Sequence, residues 1–178
     1  MSEDITAETR EHIAQVQTRM VRAIVALQRR AGSHDASKLE EPEASGFWRM
    51  NALSKRSDVK YGSPEYKALM DSERPTIDHH FAHNDHHPEY WKFHKEERVS
   101  WHNDQAGGHN VSCMNLLSLL EMMCDWDAAA MRYKDGGFAK SFRMNCDRFG
   151  ISPQLASIMR NTAVELGFMT REDIAEGY

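Results

Sequence analysis

From Ile5 to Arg30 the chain reads "ITAETREHIAQVQTRMVRAIVALQRR", in which Ile13, Val16, Met20, Ile24 and Leu27 recur at steps of three and four. That period predicts a long amphipathic helix ending near "RRAGSHD", with Gly32 in the position favoured just past a helix C-terminus. "HDASKLEEPEASGFWRMNAL" predicts a second helical segment, interrupted near Pro42. Ser63 followed by Pro64 is a helix start, and Pro75 is expected to split the stretch after it. "KFHKEERVSWHNDQAGGHN" is polar, aperiodic and contains Gly107-Gly108, so 92–110 is expected to form a loop or lid. "VSCMNLLSLLEMMCDWDAAAMRY" predicts a helix capped by Ser112 and buried on most sides, with Met114, Leu117, Leu120 or Glu121, and Cys124 along its central face. Ser152-Pro153 starts another helix toward Gly167, and "TRED" from Thr170 has the form of a capping box for a short last one. Strand-like alternation, internal repeats and domain linkers are absent from this pattern. The expectation is an all-α fold, one helical domain over 1–178 with residues 1–4 disordered.

The composition narrows the partners. At 178 residues the chain is long enough to bury a core without disulfides or a structural metal, so a metal would serve function more than folding. Apolar residues are 40% of the chain, and no apolar run nears the roughly 20 residues of a membrane span, which predicts a soluble protein and no membrane partner. The polar, acidic start "MSEDITAETREH" lacks the form of a secretory signal, so a cytoplasmic location is expected. Cys113, Cys124 and Cys146 cannot all pair within one chain and show no zinc-finger spacing, which predicts reduced thiols. A net charge of −5 without a basic stripe argues against extended nucleic acid. A small anionic substrate in a locally positive pocket, and a homo-oligomer, stay open.

Histidine is the conspicuous residue, with ten copies, five of them in "DHHFAHNDHHPEYW" from Asp78 to Trp91. Helical spacing would put His79 with His83 and His80 with Asn84 on shared faces, while His86-His87-Pro88 marks a helix end. His34-Asp35 lies at a helix junction, where an imidazole and a carboxylate can reach one cation, or where Asp35 is simply an N-cap. Asp125 sits in the apolar "EMMCDWDAA", where burial would demand a partner; Glu121 and Arg132 share its face, and a salt-bridged surface is the plainer alternative. Glu8 and His12, four residues apart, could address one centre.

Taken in order, "HIAQV" (His12 to Val16), "HDASK" (His34 to Lys38), "HHPE" (His86 to Glu89) and "CDWDAAAMRY" (Cys124 to Tyr133) resemble the HD-domain metal-dependent phosphohydrolase superfamily. The closest pattern is that of its HD-GYP branch. The chain is also similar, over nearly its full length, to small uncharacterised phage and bacterial proteins carrying H-x-x-x-N-x-H-H-P-E, met here as His80 to Glu89. The resemblance implies an HD-like helical bundle, with His12, His34, Asp35 and Asp125 as core metal ligands. It further implies that Asp35 bridges two ions, that His80, His86 and His87 hold the second, and that Glu8 adds a carboxylate. Lys38, with Arg132 or Arg143 behind it, would meet a substrate phosphate. "EYW" stands where GYP would be, so cyclic-di-GMP specificity is not implied.

The ligand types suit Mn, Fe, Co, Ni or Zn better than Mg or Ca, and the expectation is two divalent transition-metal ions. The expected activity is hydrolysis of a nucleotide or related small phosphoester by metal-activated water, with Asp35, Lys38 and Arg132 as catalytic residues. Trp91 or Trp101 could stack a base. A di-iron oxygenase on the same scaffold and a non-catalytic metal- or nucleotide-binding module are the alternatives.

Overall fold

The computed structural model describes residues 2–57, 63–94, 111–132 and 137–175. Among them the fold is all-α, without strands. The chain divides into two compact units, Met1–His34 and Asp35–Tyr178. Among the described residues no helix is long and apolar enough to cross a membrane.

The first unit is essentially one helix, α1 (Ser2–Ser33). It starts at Ser2, so residues 2–4 are helical where disorder is expected, and it runs through Gly32 instead of ending before it. Ile13, Val16, Met20 and Ile24 are exposed along it.

The second unit opens with Asp35 in the left-handed region at φ 55, ψ 18, a conformation that Asp tolerates better than most non-glycine residues. A 3-10 turn (Ala36–Leu39) follows, then α2 (Glu43–Ser57). The helices α3 (Pro64–Ser72) and α4 (Arg74–His83) come next, split at Glu73 because Pro75 lacks the amide hydrogen that a continuous helix would need there. Ser63 caps α3, its hydroxyl accepting from the Tyr66 amide at 3.1 Å. A short α5 (Tyr90–Phe93) follows the histidine tract.

The remaining elements are α6 (Leu116–Ala130), α7 (Phe138–Phe149), α8 (Pro153–Glu165) and α9 (Arg171–Ala175). Ser112 is not the cap of α6; it lies in a 3-10 turn, and Asn115 caps the helix by accepting from the Leu117 and Ser118 amides. The buried line of α6 is Ser118, Leu119, Met122, Met123, Trp126 and Ala130, while Leu116 and Cys124 are exposed, so the helix is not buried on most sides. The expected face is displaced because a polar residue, Ser118, lies fully buried on the core line, donating to Asp85 Oδ2 at 3.0 Å. The helix α7 lies outside the elements expected from the pattern. Ser152 caps α8, and the Thr170–Asp173 capping box opens α9 as expected.

The main core joins Trp91, Val111 and Met114 to the buried faces of α6, α7 and α8 and to Met169. Trp91 is therefore a core side chain and not a platform for a base. The expected loop or lid, 92–110, begins inside α5, which is helical to Phe93; Trp101 and the rest of that stretch, 95–110, lie outside the described residues. Among the described residues from Asp35 to Glu89 the buried ones are of another kind: Gly46, Met50, Ile77 and Pro88 are the apolar ones, beside Glu43, Thr76, His80, His86 and Glu89. That polar layer holds the candidate site. Its helices approach closely at Gly46, where a Cβ would meet Thr76 Oγ1 at 2.0 Å, Cγ2 at 2.6 Å and Cβ at 2.7 Å.

Candidate metal centre

Each ligand-type side chain of the second unit reaches the site by a local device. The left-handed turn at Asp35 sends its backbone into the 3-10 turn, whose Lys38 amide bonds back to the Asp35 carbonyl at 2.9 Å. His80 lies on the buried side of α4, two residues past Asp78. After α4 ends, the His87 amide bonds to the Asn84 carbonyl at 3.1 Å, and this turn presents His86 and His87 together before Pro88 blocks further helix.

Asp35, His80, His86 and His87 form a group whose potential ligand atoms all lie within 4.8 Å of one another. His80 Nε2 is 3.3 Å and His86 Nε2 3.5 Å from the same Asp35 oxygen, Oδ1. His80 Nε2 and His87 Nε2 are 2.9 Å apart. A tetrahedral shell with bonds of about 2.0–2.1 Å has its ligand atoms roughly 3.3–3.4 Å apart. An octahedral shell with bonds of about 2.1 Å has adjacent ligands roughly 3.0 Å apart. The observed separations bracket these values, so the group is placed to hold a metal ion with small movements of its side chains.

Carboxylates stand behind two of the rings. Glu43 Oε2 lies 2.8 Å from His80 Nδ1, and Glu121 Oε1 lies 3.1 Å from His86 Nδ1. Phe47 of α2 meets the His80 ring edge-on at 5.3 Å, an apolar wall beside the group. Asp35 Oδ2 accepts from Lys38 Nζ, which also sits over the Phe47 ring at 4.8 Å.

Burial is the largest influence on Asp35 and pushes its carboxyl up; the neighbouring His80 ring and the Lys38 ammonium more than reverse it, leaving the group far below the usual carboxylate range. Glu43 follows the same logic, with burial opposed by His79, Ser37 and His80, and ends lowered. Both carboxylates therefore contribute stability that is complete above their ordinary values and is lost as pH falls through the depressed ones.

His87 behaves differently. Burial, followed by the charges of His86 and His80, holds its imidazole well below the ordinary 6.5. An unfolded chain takes up a proton near 6.5 that the folded ring refuses, so this contribution is complete above that value and is lost as pH falls below it. Metal-free protein should accordingly lose melting temperature between about pH 7 and pH 5, and His87→Asn should flatten the profile in that window. Identical profiles for the two proteins would show that His87 is not the group responsible.

Of the other candidates, Asp125 stands beside this group, with a carboxylate oxygen within 4.8 Å of an Asp35 oxygen. Glu8 and His12 are exposed on α1, and His34 is half-buried just after it; all three belong to the first unit. Asp125 is half-buried on α6, one turn beyond Glu121. Arg132 and Arg143 are exposed. Lys38 is engaged with Asp35. Glu43 and the role of Glu121 behind His86 are absent from the sequence-based set.

A family model described as "Family of unknown function (DUF5662)" matches residues 1–165. The chain belongs to this family. No curated protein and no solved structure matches it. The family description carries no activity, so the chemistry of the DUF5662 chain rests on its own side chains.

Proposed function

We propose that this chain is a metal-dependent phosphohydrolase acting on a small phosphoester, with a nucleotide as the expected substrate class. The observation that carries the reading is the gathering of Asp35, His80, His86 and His87, whose potential ligand atoms all lie within 4.8 Å of one another. Three imidazoles and one carboxylate form a mixed nitrogen and oxygen set that suits Mn, Fe, Co, Ni or Zn. A divalent ion held there would supply Lewis acidity and lower the pKa of water from about 15.7 toward 7, giving hydroxide near neutral pH.

The chain's own groups prepare that chemistry. Asp35 divides its carboxylate, offering Oδ1 to the histidine side and Oδ2 to Lys38. His87 stays neutral, so its ring lone pair is not lost to a proton at ordinary pH. Lys38 keeps a cation beside the ligand group, where it can turn from Asp35 toward a phosphoryl oxygen and balance charge developing there. The HD-superfamily resemblance supports phosphoester hydrolysis over other metal chemistry.

The test joins metal analysis of the purified protein to a screen of phosphomonoesters, phosphodiesters and nucleotides after loading with each candidate metal. Metal-dependent release of phosphate or of a nucleoside product is expected, and the metal content decides between one ion and two. A fully loaded protein inert toward every phosphoester would sink the proposal. Oxygen consumption by an iron-loaded form would replace it with the oxygenase reading.

A further inference from the structure

Glu43 is the most deeply buried acidic residue among those described, at 0% exposure, and nothing in the ligand group itself requires it. Both of its oxygens are in use. Oε1 lies 2.8 Å from His79 Nδ1, and Oε2 lies 2.8 Å from His80 Nδ1 and 2.9 Å from Ser37 Oγ. We propose that Glu43 is a positioning residue that fixes the ring tautomer of His80, holding the proton on Nδ1 so that Nε2 faces Asp35 and His87 with a lone pair for a metal ion. The inference rests on the metal-centre reading and assigns a role to a residue outside the ligand set.

The local hydrogen count supports only one arrangement. Asn84 Nδ2 carries two hydrogens, and the His80 carbonyl at 2.8 Å and Ser37 Oγ at 3.0 Å accept them. Asn84 Nδ2 also lies 3.0 Å from His80 Nδ1, but no hydrogen remains for that contact. Having accepted from Asn84, Ser37 turns its own hydrogen to Glu43 Oε2. An ionised carboxylate has only acceptor sites, so the hydrogen between Glu43 and His80 must sit on Nδ1. The polar chain therefore runs from Asn84 through Ser37 to Glu43, with His79 and His80 donating from two further sides. A neutral His80 with its proton on Nδ1 has its lone pair on Nε2, the atom that faces Asp35 Oδ1 at 3.3 Å and His87 Nε2 at 2.9 Å.

A carboxylate behind a ligating histidine fixes the ring and raises its basicity, and its loss commonly costs about 10–100-fold in metal affinity. Here the same carboxylate also holds His79, whose ring stacks on His83 at 4.0 Å. Glu43 thus ties α2 to two successive residues of α4, which fixes the rotation of α4 as well as the tautomer.

Two measurements test this. In metal-free protein labelled with nitrogen-15 histidine, at mildly alkaline pH, long-range proton–nitrogen spectra should show His80 protonated on Nδ1 alone. A His80 protonated on Nε2 would overturn the proposal without any variant. Second, Glu43→Gln and Glu43→Ala should weaken Co2+ binding, read by visible absorption or calorimetry, by about 10–100-fold in protein that remains folded. Wild-type affinity in folded Glu43→Gln would also overturn it, while leaving the phosphohydrolase reading intact. A wild-type protein that binds no Co2+ would count against the metal centre itself, a distinct failure.

Discussion

Asp35→Asn should yield folded protein that no longer retains metal, with phosphoester hydrolysis lost in step. Asp35 is the acidic member of the ligand group and supplies the oxygen that both His80 and His86 face. Removing a direct ligand should cost more than the roughly 10–100-fold that a supporting residue costs. Asn is the informative substitution because it tolerates the left-handed backbone at φ 55. Asp35→Ala should lose metal equally and also lose stability, since a left-handed alanine costs about 1–2 kcal/mol. Metal content by mass spectrometry and thermal melting of both variants separate these effects. Full metal content in Asp35→Asn would disprove the assignment.

Gly46→Ala should destabilise the protein by about 1–3 kcal/mol, although alanine favours a helix by roughly 1 kcal/mol over glycine. The new methyl would collide with three side-chain atoms of Thr76, all closer than 3.0 Å. Thr76 is buried and branched at Cβ, so it cannot swing aside as a long flexible chain would. Relief requires α2 and α4 to separate. Glu43, almost one turn before Gly46 on α2, would then draw away from His79 and His80, and Co2+ affinity should fall with stability. Thr76→Ala in the same chain should restore part of both losses in chemical denaturation and metal titration. A Gly46→Ala protein as stable as wild type would show that the two helices yield readily.

The helical class and several helix starts are legible because they depend on neighbours in the chain. Ser63-Pro64, Ser152-Pro153 and Thr170-x-x-Asp173 each state a cap within four residues. The same locality exposes His34-Asp35 and His86-His87-Pro88 as candidates. Glu43 is different, since its histidine partners lie 36 and 37 residues away, and "LEEPEAS" looks like a solvated acidic stretch until α2 and α4 are packed together. Glu121 is legible as a neighbour of Asp125 and as a residue of the expected helix face; its approach to His86 depends on how α6 meets the histidine turn. On α6 the buried Ser118 defeats an apolar template, because its hydroxyl is satisfied by Asp85 rather than by water. The helix α7 was open to reading, with Phe138, Phe142 and Phe149 at helical intervals, and needed the pattern to be followed past Gly136-Gly137.

The unequal division of apolar burial affects how an ion would enter and leave. The described residues between 35 and 89 are held chiefly by charged and hydrogen-bonded groups, whereas the aromatic and methionine core is built from Trp91 onward. Segments with few buried apolar contacts open locally at lower free energy than the whole domain unfolds. A chelator would therefore meet the ligands through brief parting of α2 from α4 while the main core stays shut. The residence time of an ion held there would then be set by the Glu43 and Ser37 network, separately from the global stability of the protein.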